Sequence, residues 1–352
     1  MESTVEVQGR QLKLSNLEKV LYPATGFTKR QVIDYYVRIA PAMLPHLEGR
    51  ALTRKRYPNG VDGEFFYEKN APQHRPDWVK TAPIWSGSNR RTVHYILADD
   101  LATLVWLANL AAIELHPSLA LAEDIACPTM MVFDLDPGPP ANIVHCCQVA
   151  FWLREIFEKF GLESFPKTSG SKGLQVYVPL NTPTTYDETK SFARALAQLL
   201  EHEHRDMVVS DMKKSVRTGK VFVDWSQNDD HKTTICVYSL RARERPTVST
   251  PVSWDEAERT LKKKDAGLLV FEAKQTVARV EKMGDLFAPL LKLQQRLPDL
   301  KKAASAASES KPVSIAAAVE EEDEYEAAKR KPSRTPRARK SAVRPGARHA
   351  RA

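Results

Sequence analysis

The chain has 352 residues, with 52 Lys and Arg against 44 Asp and Glu, so its formal net charge is +8. The surplus lies at the C-terminus, because residues 329–352 contain ten basic residues and no acidic one, whereas residues 1–328 contain 42 basic and 44 acidic residues. A body close to neutral excludes a protein that binds nucleic acid through overall positive charge, and four cysteines without a CxxC pair exclude a zinc module.

Apolar residues alternate between helical and strand-like spacing, which predicts an α/β (α+β) body with central sheets flanked by helices. In chain order we predict helices at 15–21 and 28–45, strands at 52–57, 65–69 and 92–97, a helix at 99–114, a strand at 129–135, a helix at 142–160, strands at 164–167 and 174–179, a helix at 186–204, strands at 220–225 and 236–240, and helices at 254–264 and 274–297. The strands at 52–57 and 65–69 flank the turn sequence PNGVDG, which is a hairpin signal.

Composition changes abruptly after Pro298. Residues 301–319 are rich in Ala, Ser and Lys, residues 320–326 are acidic, and the basic run follows. Such a segment has too few large apolar side chains to offset the entropy of ordering. We therefore predict one body over residues 1–298 and a disordered basic tail over residues 299–352.

Membrane and secretion signals are missing from the sequence. The most apolar stretch, residues 101–115, is too short to span a bilayer, and the first residues have no apolar secretion segment. We expect an intracellular protein with no membrane partner.

Two carboxylates end an apolar strand in the segment TMMVFDLDPGPP, residues 129–140. Asp134 and Asp136 are two residues apart, so both point to the same face of the strand. Carboxylates in this arrangement repel each other unless a cation lies between them, and Mg²⁺ or Mn²⁺ prefers such oxygen ligands. The alternative is that DxDPG is only a turn with Asx caps.

A third carboxylate, Asp224, ends another apolar run in KVFVDWSQND, residues 220–229. Taken alone, Asp224 is more typical of a strand end than of a metal ligand. Together with the first pair, it completes the set that a two-metal phosphoryl-transfer site requires.

Between these strands lies the loop TSGSKG, residues 168–173. Its two glycines let backbone N–H groups converge on an anion, its hydroxyls donate, and Lys172 adds a positive charge, so the loop suits phosphate. The P-loop pattern GxxxxGK[ST] does not occur in the chain. The alternative is an ordinary Gly/Ser hairpin loop with an incidental lysine.

Basic and aromatic residues lie close together in the sequence before these strands, where Arg54-Lys55-Arg56-Tyr57 precedes the pair Phe65-Phe66. Exposed aromatic rings beside basic side chains suit stacked bases and their phosphates. The alternative is that at least one of the two phenylalanines is a core residue. His116, expected just past a helix, is a candidate phosphate donor or a structural histidine.

Seven segments occur in the same order as in one known family. They are LSNLEKVLYPATGFTK, LTRKRYPNGVDGEFFYEKNAP, ELH, VFDLDPGP, TSGSKGLQVYVPL, VFVDWSQN and KTTICVYSLRARERPTVSTPVSW. In these segments the chain resembles the polymerase domain of bacterial DNA ligase D, an archaeo-eukaryotic primase-like polymerase of non-homologous end joining that also occurs as a stand-alone protein. The resemblance covers residues 10–297.

The resemblance implies a primase-polymerase-like catalytic core with mixed and antiparallel sheets. Position by position, it implies that two divalent metal ions, Mn²⁺ or Mg²⁺, are held by Asp134, Asp136 and Asp224. It implies that the incoming nucleoside triphosphate is bound by Lys55, His116, Ser169, Lys172 and Arg241.

DNA contacts follow from the same resemblance. Phe65 and Phe66 match an aromatic pair that packs on the templating base and its neighbour, and Lys19 and Lys29 match lysines that bind a 5′-phosphate across a gap or break. Without the resemblance, these two lysines are expected to be solvated helix-surface residues. Residues in matching segments near the active site, with less definite roles, are Arg56, Arg217 and Gln227.

Two departures qualify this resemblance. Position 175 is Gln, where many relatives have His, so no acid or base role is expected there. No KxDG nucleotidyl-lysine motif occurs, so we expect that the chain as given does not seal DNA.

The expected reaction is template-directed addition of nucleotides to a primer at gapped or broken DNA ends. The resemblance favours ribonucleotides and Mn²⁺, implies a cytoplasmic, nucleoid-associated enzyme of non-homologous end joining, and suggests Ku and a separate ATP-dependent DNA ligase as partners. The alternatives are a metal-dependent nuclease, which has no use for a triphosphate-binding loop, and a non-catalytic end-binding module, in which three repelling carboxylates have no purpose.

Overall fold

The computed structural model describes residues 2–87 and 90–298, and within these ranges the chain forms fourteen β-strands and six α-helices. The strands are β1 Glu2–Val7, β2 Arg10–Ser15, β3 Val20–Tyr22, β4 Phe27–Thr28, β5 Leu52–Arg56, β6 Phe66–Glu68, β7 Thr81–Ser86, β8 Arg91–Ile96, β9 Ala112–Pro117, β10 Met130–Pro137, β11 Phe165–Thr168, β12 Leu174–Pro179, β13 Val208–Val209 and β14 Val221–Asp224. The helices are α1 Lys29–Met43, α2 Leu101–Asn109, α3 Ile143–Lys159, α4 Tyr186–Glu203, α5 Trp254–Lys263 and α6 Ala273–Met283.

The tail predicted for residues 299–352 lies outside the described residues, and the division at residue 298 stays a prediction. No helix in the part of the chain that the structure describes is long and apolar enough to cross a membrane.

One five-stranded sheet, called here the aspartate sheet, has the order β11-β12-β10-β14-β13. Its pairs are antiparallel except β13 with β14, which is parallel. On β10 the buried side chains of Met131, Phe133 and Leu135 belong to the same core as α3 and α4. Because side chains alternate along a strand, Asp134 and Asp136 lie on the opposite face. The apolar pattern of β10 therefore decides which face carries the acids.

The second sheet, called the β5 sheet, has the order β6-β5-β8-β7, and β9 also pairs with β5. All its pairs are antiparallel. Its core includes buried residues of α1 and α2. Helix α1 begins with a capping box, in which Thr28 and Gln31 bond each other's backbone N–H groups. The predicted mixed and antiparallel sheets flanked by helices are confirmed.

A segment without regular strands, residues 234–250, joins the two sheets. The N–H of Cys236 donates to Leu115 O on β9 at 2.8 Å, and the N–H of Thr168 on β11 donates to Thr250 O at 2.8 Å. This segment therefore holds the loop at residues 168–173 near the β5 sheet. Because the sequence predicts that this loop binds an anion, it is called here the anion-binding loop. The strand predicted for residues 236–240 is wrong, since only Leu240 forms a bridge there, with Val248.

Three other predicted elements are wrong in type or length. Residues 15–21 are not helical, because Asn16 has a φ of 52° and the chain continues into β3. The helix predicted for 99–114 ends at Asn109, and Ala111, with a φ of 56°, turns the chain into β9. His116 therefore lies on a strand and not after a helix. The last predicted helix, 274–297, ends early as well, because α6 stops at Met283 before Gly284.

Candidate active site

Four polar side chains form a row across the aspartate sheet. Asp134 on β10 pairs with Asp224 on β14 and with Gln175 on β12, and Gln175 pairs with Lys167 on β11. Directly paired residues of antiparallel strands point to the same face. The row Lys167, Gln175, Asp134, Asp224 therefore ends in two facing carboxylates, and Asp136 lies on the same face of β10.

Asp134 is the electrostatic centre of this row. Burial raises its pKa above the ordinary value, the nearby Asp136 and Asp224 raise it further, and a hydrogen bond from Gln175 opposes the rise. Lys167 is buried, and its Nζ donates to Gln175 Oε1 at 2.6 Å and to Ser249 Oγ at 2.6 Å. Burial lowers the pKa of Lys167 to about 7. The carboxylates thus share a face of the sheet with Lys167, whose ammonium is partly deprotonated near neutral pH.

Asp224 is fixed by its own turn. Its Oδ1 accepts from Ser226 N at 3.0 Å and from Ser226 Oγ at 2.5 Å, and its Oδ2 accepts from Gln227 Nε2 at 2.9 Å. Gln227, a residue without a definite expected role, therefore orients this carboxylate. Asp136 is more open, with 39% of its side chain exposed, and Lys172 Nζ lies 3.9 Å from its Oδ1.

The donor set fits a hard divalent cation. Three carboxylates on one face offer only oxygen atoms, which Mg²⁺ and Mn²⁺ prefer, and a cation removes the repulsion that raises the pKa of Asp134. A separate group, Asp229, Asp230 and His231, also brings potential ligand atoms within 4.8 Å of one another. In that group Asp229 is already paired with Lys190 at 2.5 Å.

The loop at residues 168–173 lies against the strand that carries the acids. Ser169 Oγ accepts from Ser171 N at 3.2 Å and from Gly173 N at 3.1 Å, which folds the loop on itself. A Cβ at position 173 would overlap the carbonyl oxygen of Leu135. The glycine therefore lets the loop approach β10 between the two acids, and it brings Lys172 next to Asp136.

Lys55, His116 and Arg241 meet at one buried carboxylate, Glu114. His116 Nε2 lies 3.0 Å from Glu114 Oε2, Lys55 Nζ lies 3.6 Å from the same oxygen, and Arg241 Nε lies 3.2 Å from Oε1. Arg241 Nη1 also donates to Ser169 O at 3.1 Å. This contact links the cluster to the anion-binding loop, so the five predicted triphosphate ligands form a continuous group with Asp136.

The aromatic pair is exposed. Phe65 and Phe66 are 52% and 48% exposed, so the alternative that one of them is a core residue is wrong. Lys55 Nζ lies 4.3 Å from the centre of the Phe65 ring. Arg56, one of the less definite residues, makes two hydrogen bonds to Glu68 at 2.8 and 2.9 Å and lies beside the Phe66 ring. Two rings thus lie at the edge of the β5 sheet, beside Lys55 of the cluster around Glu114.

Lys19 and Lys29 lie together at the start of α1. Lys29 is 6% exposed, and its Nζ donates to Ser15 O at 2.7 Å, so it is not a solvated surface lysine. Lys19 is exposed and donates to Asn59 Oδ1 at 2.9 Å. Burial lowers the pKa of Lys29 to about 8, and the charge of Lys19 contributes. The charge of Lys19 therefore acts on Lys29, and the binding of a 5′-phosphate by these two lysines stays a prediction.

Arg217 lies behind the DxDPG turn. Its Cζ is 3.5 Å from the centre of the Phe222 ring, and its Nη2 donates to Met212 O at 2.5 Å. A Cβ at Gly138 would overlap the carbonyl oxygen of Arg217. The loop that carries Arg217 is therefore packed directly on the turn that follows Asp136.

Three residues at the site were not singled out by their sequence signals. Glu114 was visible only as part of the segment ELH, and the strand that carries it was predicted as helix. Lys167 precedes the anion-binding loop and looks like a strand residue. Gln175 was noted for its difference from relatives, but its hydrogen bonds to Lys167 and Asp134 follow only from strand register.

Comparisons with known proteins agree with this arrangement. A family model described as "LigD, primase-polymerase domain" matches residues 28–287. The chain is 43% identical over 281 residues to "Multifunctional non-homologous end joining protein LigD" of Mycolicibacterium smegmatis, covering 79% of this chain and 36% of that protein. It is 32% identical over 274 residues to "Bifunctional non-homologous end joining protein LigD" of Bacillus subtilis, covering 78% of this chain and 43% of that protein.

A solved structure is similar as well. The "Polymerase Domain from Mycobacterium tuberculosis Ligase D in complex with DNA" matches with a TM-score of 0.74 and 39% identity, over 81% of this chain and 99% of that chain. The chain thus spans less than half the length of these curated relatives but nearly all of the solved polymerase domain. A primase-polymerase is a nucleotidyltransferase, so the predicted enzyme class is confirmed for the family. The chain belongs to the family of LigD primase-polymerase domains.

Proposed function

We propose that the chain is a DNA repair polymerase that adds nucleotides to a primer 3′ end under the direction of a template strand. The observation that carries the proposal is the row in which Asp134 faces Asp224, with Asp136 on the same face and the anion-binding loop packed against the strand between the acids. Carboxylates next to a triphosphate cradle suit phosphoryl transfer better than simple binding.

In the proposed reaction the primer 3′-hydroxyl oxygen attacks the α-phosphorus of the nucleoside triphosphate. A new phosphodiester bond forms, the bond between the α-phosphorus and the bridging oxygen breaks, pyrophosphate leaves, and the hydroxyl proton passes to solvent. Two divalent ions held by Asp134, Asp136 and Asp224 would lower the pKa of the hydroxyl and stabilise the leaving oxygen. The protein positions both reactants in line and supplies the positive charge around the phosphates.

The triphosphate is proposed to lie over the loop and the Glu114 cluster. Lys172 offers an ammonium beside Asp136, Ser169 offers a hydroxyl in the same loop, and Lys55, His116 and Arg241 add up to three positive charges. These groups reach one another through the contact of Arg241 with Ser169 O. A nucleotide that spans them has its α-phosphate at the acidic end and its terminal phosphates at the basic end.

The DNA is proposed to pass over the β5 sheet. The solved relative is a complex with DNA, and here Phe65 and Phe66 expose their rings beside Lys55 and Arg56. We assign the templating base and its neighbour to these rings because base stacking on aromatic side chains is independent of sequence. Lys19 and Lys29 are assigned to a 5′-phosphate on the far side of a gap or break.

The repair context comes from the curated relatives, whose names place them in non-homologous end joining. We extend to this chain their role in joining broken ends, with Ku and a separate ATP-dependent DNA ligase as partners and the nucleoid as its location. Ribonucleotides and Mn²⁺ are the proposed preferred substrate and ion.

Primer extension on a 5′-phosphorylated gapped duplex tests the proposal. The four arms combine ribo- or deoxynucleotides with Mn²⁺ or Mg²⁺, and the double variant Asp134→Ala/Asp136→Ala is the control. We expect templated addition by the wild type, fastest with ribonucleotides and Mn²⁺, no addition by the double variant, and DNA binding by both. Shortening of labelled DNA without added nucleotide would instead show a nuclease, and DNA binding without either reaction would show an end-binding module.

A further inference from the structure

Glu114 is a buried carboxylate surrounded by three residues that the proposed function assigns to the triphosphate. Its side chain is 4% exposed. Both oxygens are directed inward, since Oε1 accepts from Ala242 N at 3.0 Å and faces Arg241, and Oε2 faces His116 and Lys55. A carboxylate oxygen that faced a triphosphate would repel it. Because both oxygens of Glu114 face protein donors instead, Glu114 can affect the triphosphate only through these neighbouring residues.

We propose that Glu114 is a positioning residue for nucleotide binding, and that it makes His116 take up a proton when the triphosphate binds. This inference rests on the proposed function. The ligand concerned is a nucleoside triphosphate. The inference adds that its binding is coupled to the uptake of a proton by His116.

The positioning role follows from where the three partners originate. Lys55 lies on β5, His116 lies on β9, and Arg241 lies in the segment between the two sheets. Without the Glu114 carboxylate, the positive charges of these three side chains would repel one another. The side chains, which come from separate elements, would then no longer point to the same place. Glu114 replaces that repulsion with ion pairs, and it leaves the cluster with net positive charge for the phosphates.

The proton uptake follows from hydrogen-bond chemistry. Burial raises the pKa of Glu114, but the hydrogen bond from His116 and the charges of Arg241 and Lys55 outweigh burial and hold the pKa well below its usual range. An ionised carboxylate only accepts, so the Nε2 of His116 at 3.0 Å must carry a proton. A neutral ring then has a lone pair on Nδ1, which cannot donate to a phosphate oxygen. Only the imidazolium can hold Glu114 and donate to phosphate at the same time.

The charged and titratable groups that face His116 determine the pH range in which its ring takes up the proton. They are Glu114 on its own strand, Lys55 on β5, Arg241 in the joining segment and Tyr67 on β6, whose ring centre is 6.5 Å away. Burial lowers the pKa of His116 below its usual value, Glu114 partly opposes this, and the two cations add to the lowering. The ring is therefore mostly neutral near pH 7 until the triphosphate adds its negative charge.

The first experiment separates nucleotide KM from kcat in primer extension for Glu114→Gln and Glu114→Asp. For Glu114→Gln we expect the KM for the triphosphate to rise about tenfold or more while kcat changes less than threefold, and for Glu114→Asp we expect a smaller rise. The matched control is Glu256→Gln, which removes a carboxylate paired with Arg279 at 2.6 Å on α5 and should leave the KM unchanged. An unchanged or lower KM in Glu114→Gln would mean that Glu114 only neutralises the cluster, and would overturn the positioning role.

The second experiment measures proton uptake. Triphosphate binding is followed by titration calorimetry near pH 7.5 in buffers of different ionisation enthalpy, with wild type and with His116→Gln. We expect the wild type to take up a fraction of a proton more than the variant, because any change in the nucleotide's own ionisation is common to both proteins. Equal uptake by both proteins would overturn the proton step, and this arm decides even if Glu114→Gln fails to fold. A wild type that neither binds triphosphate nor extends a primer would instead defeat the proposed function.

Discussion

Asp134 and Asp224 lie directly opposite each other on the antiparallel strands β10 and β14. Each is held in place by neighbours, Asp134 by a hydrogen bond from Gln175 and Asp224 by Ser226 and Gln227. Neither carboxylate can therefore turn away from the other at low cost. In the protein without metal, this pair is a source of electrostatic strain that a divalent ion removes.

We expect Asp134→Asn to stabilise the protein in the presence of a chelator and to abolish primer extension. The amide keeps the size of the side chain and an acceptor for Gln175 but removes one of the repelling charges. A gain of about 1 kcal/mol is expected, the free energy that corresponds to roughly one pKa unit. Chemical denaturation in EDTA measures this gain.

Added Mn²⁺ gives the complementary result. It should raise the melting temperature of the wild type by binding the folded state and have little effect on Asp134→Asn. If Asp134→Asn were less stable than the wild type in EDTA, the prediction would be contradicted. The contacts of the Asp134 carboxylate would then stabilise the folded state by more than the repulsion between the acids destabilises it.

The hydrogen bonds at Gln175 lead to a second prediction. Gln175 accepts from buried Lys167 and donates to Asp134, so Gln175→Leu removes one hydrogen bond from a carboxylate and one from a buried ammonium, which keeps only Ser249 Oγ and Ile235 O as acceptors. We expect a loss of about 1–3 kcal/mol in the free energy of unfolding, together with a lower kcat. Urea denaturation and primer extension measure the two effects. Gln175→His, the residue common in relatives, should retain more of both, and equal stability of the Leu and His variants would contradict the role assigned to the amide.

Much of the site was predictable because short-range signals and strand periodicity are local. Asp134 and Asp136 share a face because they are two residues apart on a strand, and the capping box at Thr28 marks the start of α1. The pairing of Asp134 with Asp224 and the convergence at Glu114 were not predictable, because strand register and sheet order depend on contacts between distant segments.

The errors in the predicted secondary structure have local causes. The apolar run from residue 101 onward continues into AIEL, so helix and strand were not separable until Ala111 reversed the chain with a positive φ. The hairpin of β1 and β2 was missed although its strands alternate around Gln8 and Gly9, both with positive φ.

The pKa of Lys29 leads to a third prediction, on binding of a 5′-phosphate. Burial and the charge of Lys19 lower this pKa to about 8, so the ammonium loses its proton as the pH rises through that value. A terminal phosphate is already a dianion above pH 7, since its second pKa is about 6. The affinity advantage of a 5′-phosphorylated gapped duplex over the unphosphorylated one should therefore decrease between pH 7 and pH 9.

Fluorescence anisotropy with the two duplexes at several pH values measures this advantage. In Lys29→Ala the advantage should be small at every pH. A wild-type advantage that does not change with pH, or equal affinities for the two duplexes at pH 7, would rule out Lys29 as the phosphate ligand.

The fourth prediction concerns Gly173, where a Cβ would overlap the carbonyl oxygen of Leu135 on β10. Backbone atoms of a central strand cannot move aside cheaply, so Gly173→Ala should displace the anion-binding loop, raise the KM for the triphosphate and cost about 2 kcal/mol or more of stability. Gly87→Ala is the matched control, because a Cβ there meets nothing within 4 Å. Thermal denaturation and steady-state kinetics of the two variants should differ clearly, and identical behaviour would show that the loop tolerates displacement.

The last prediction concerns the basic run at residues 329–352, which lies outside the described residues and carries ten basic side chains and no acidic one. Charges of this kind bind DNA by releasing counterions from the phosphates, so each phosphate contact contributes about 0.9 to the slope of log affinity against log salt. Removal of residues 329–352 should therefore weaken DNA binding at low salt and flatten that slope, while kcat on saturating DNA stays unchanged because every proposed catalytic group lies before residue 298. Binding measured between about 50 and 200 mM salt for the two chain lengths tests this. Identical slopes would show that the run contributes to solubility and not to the capture of DNA.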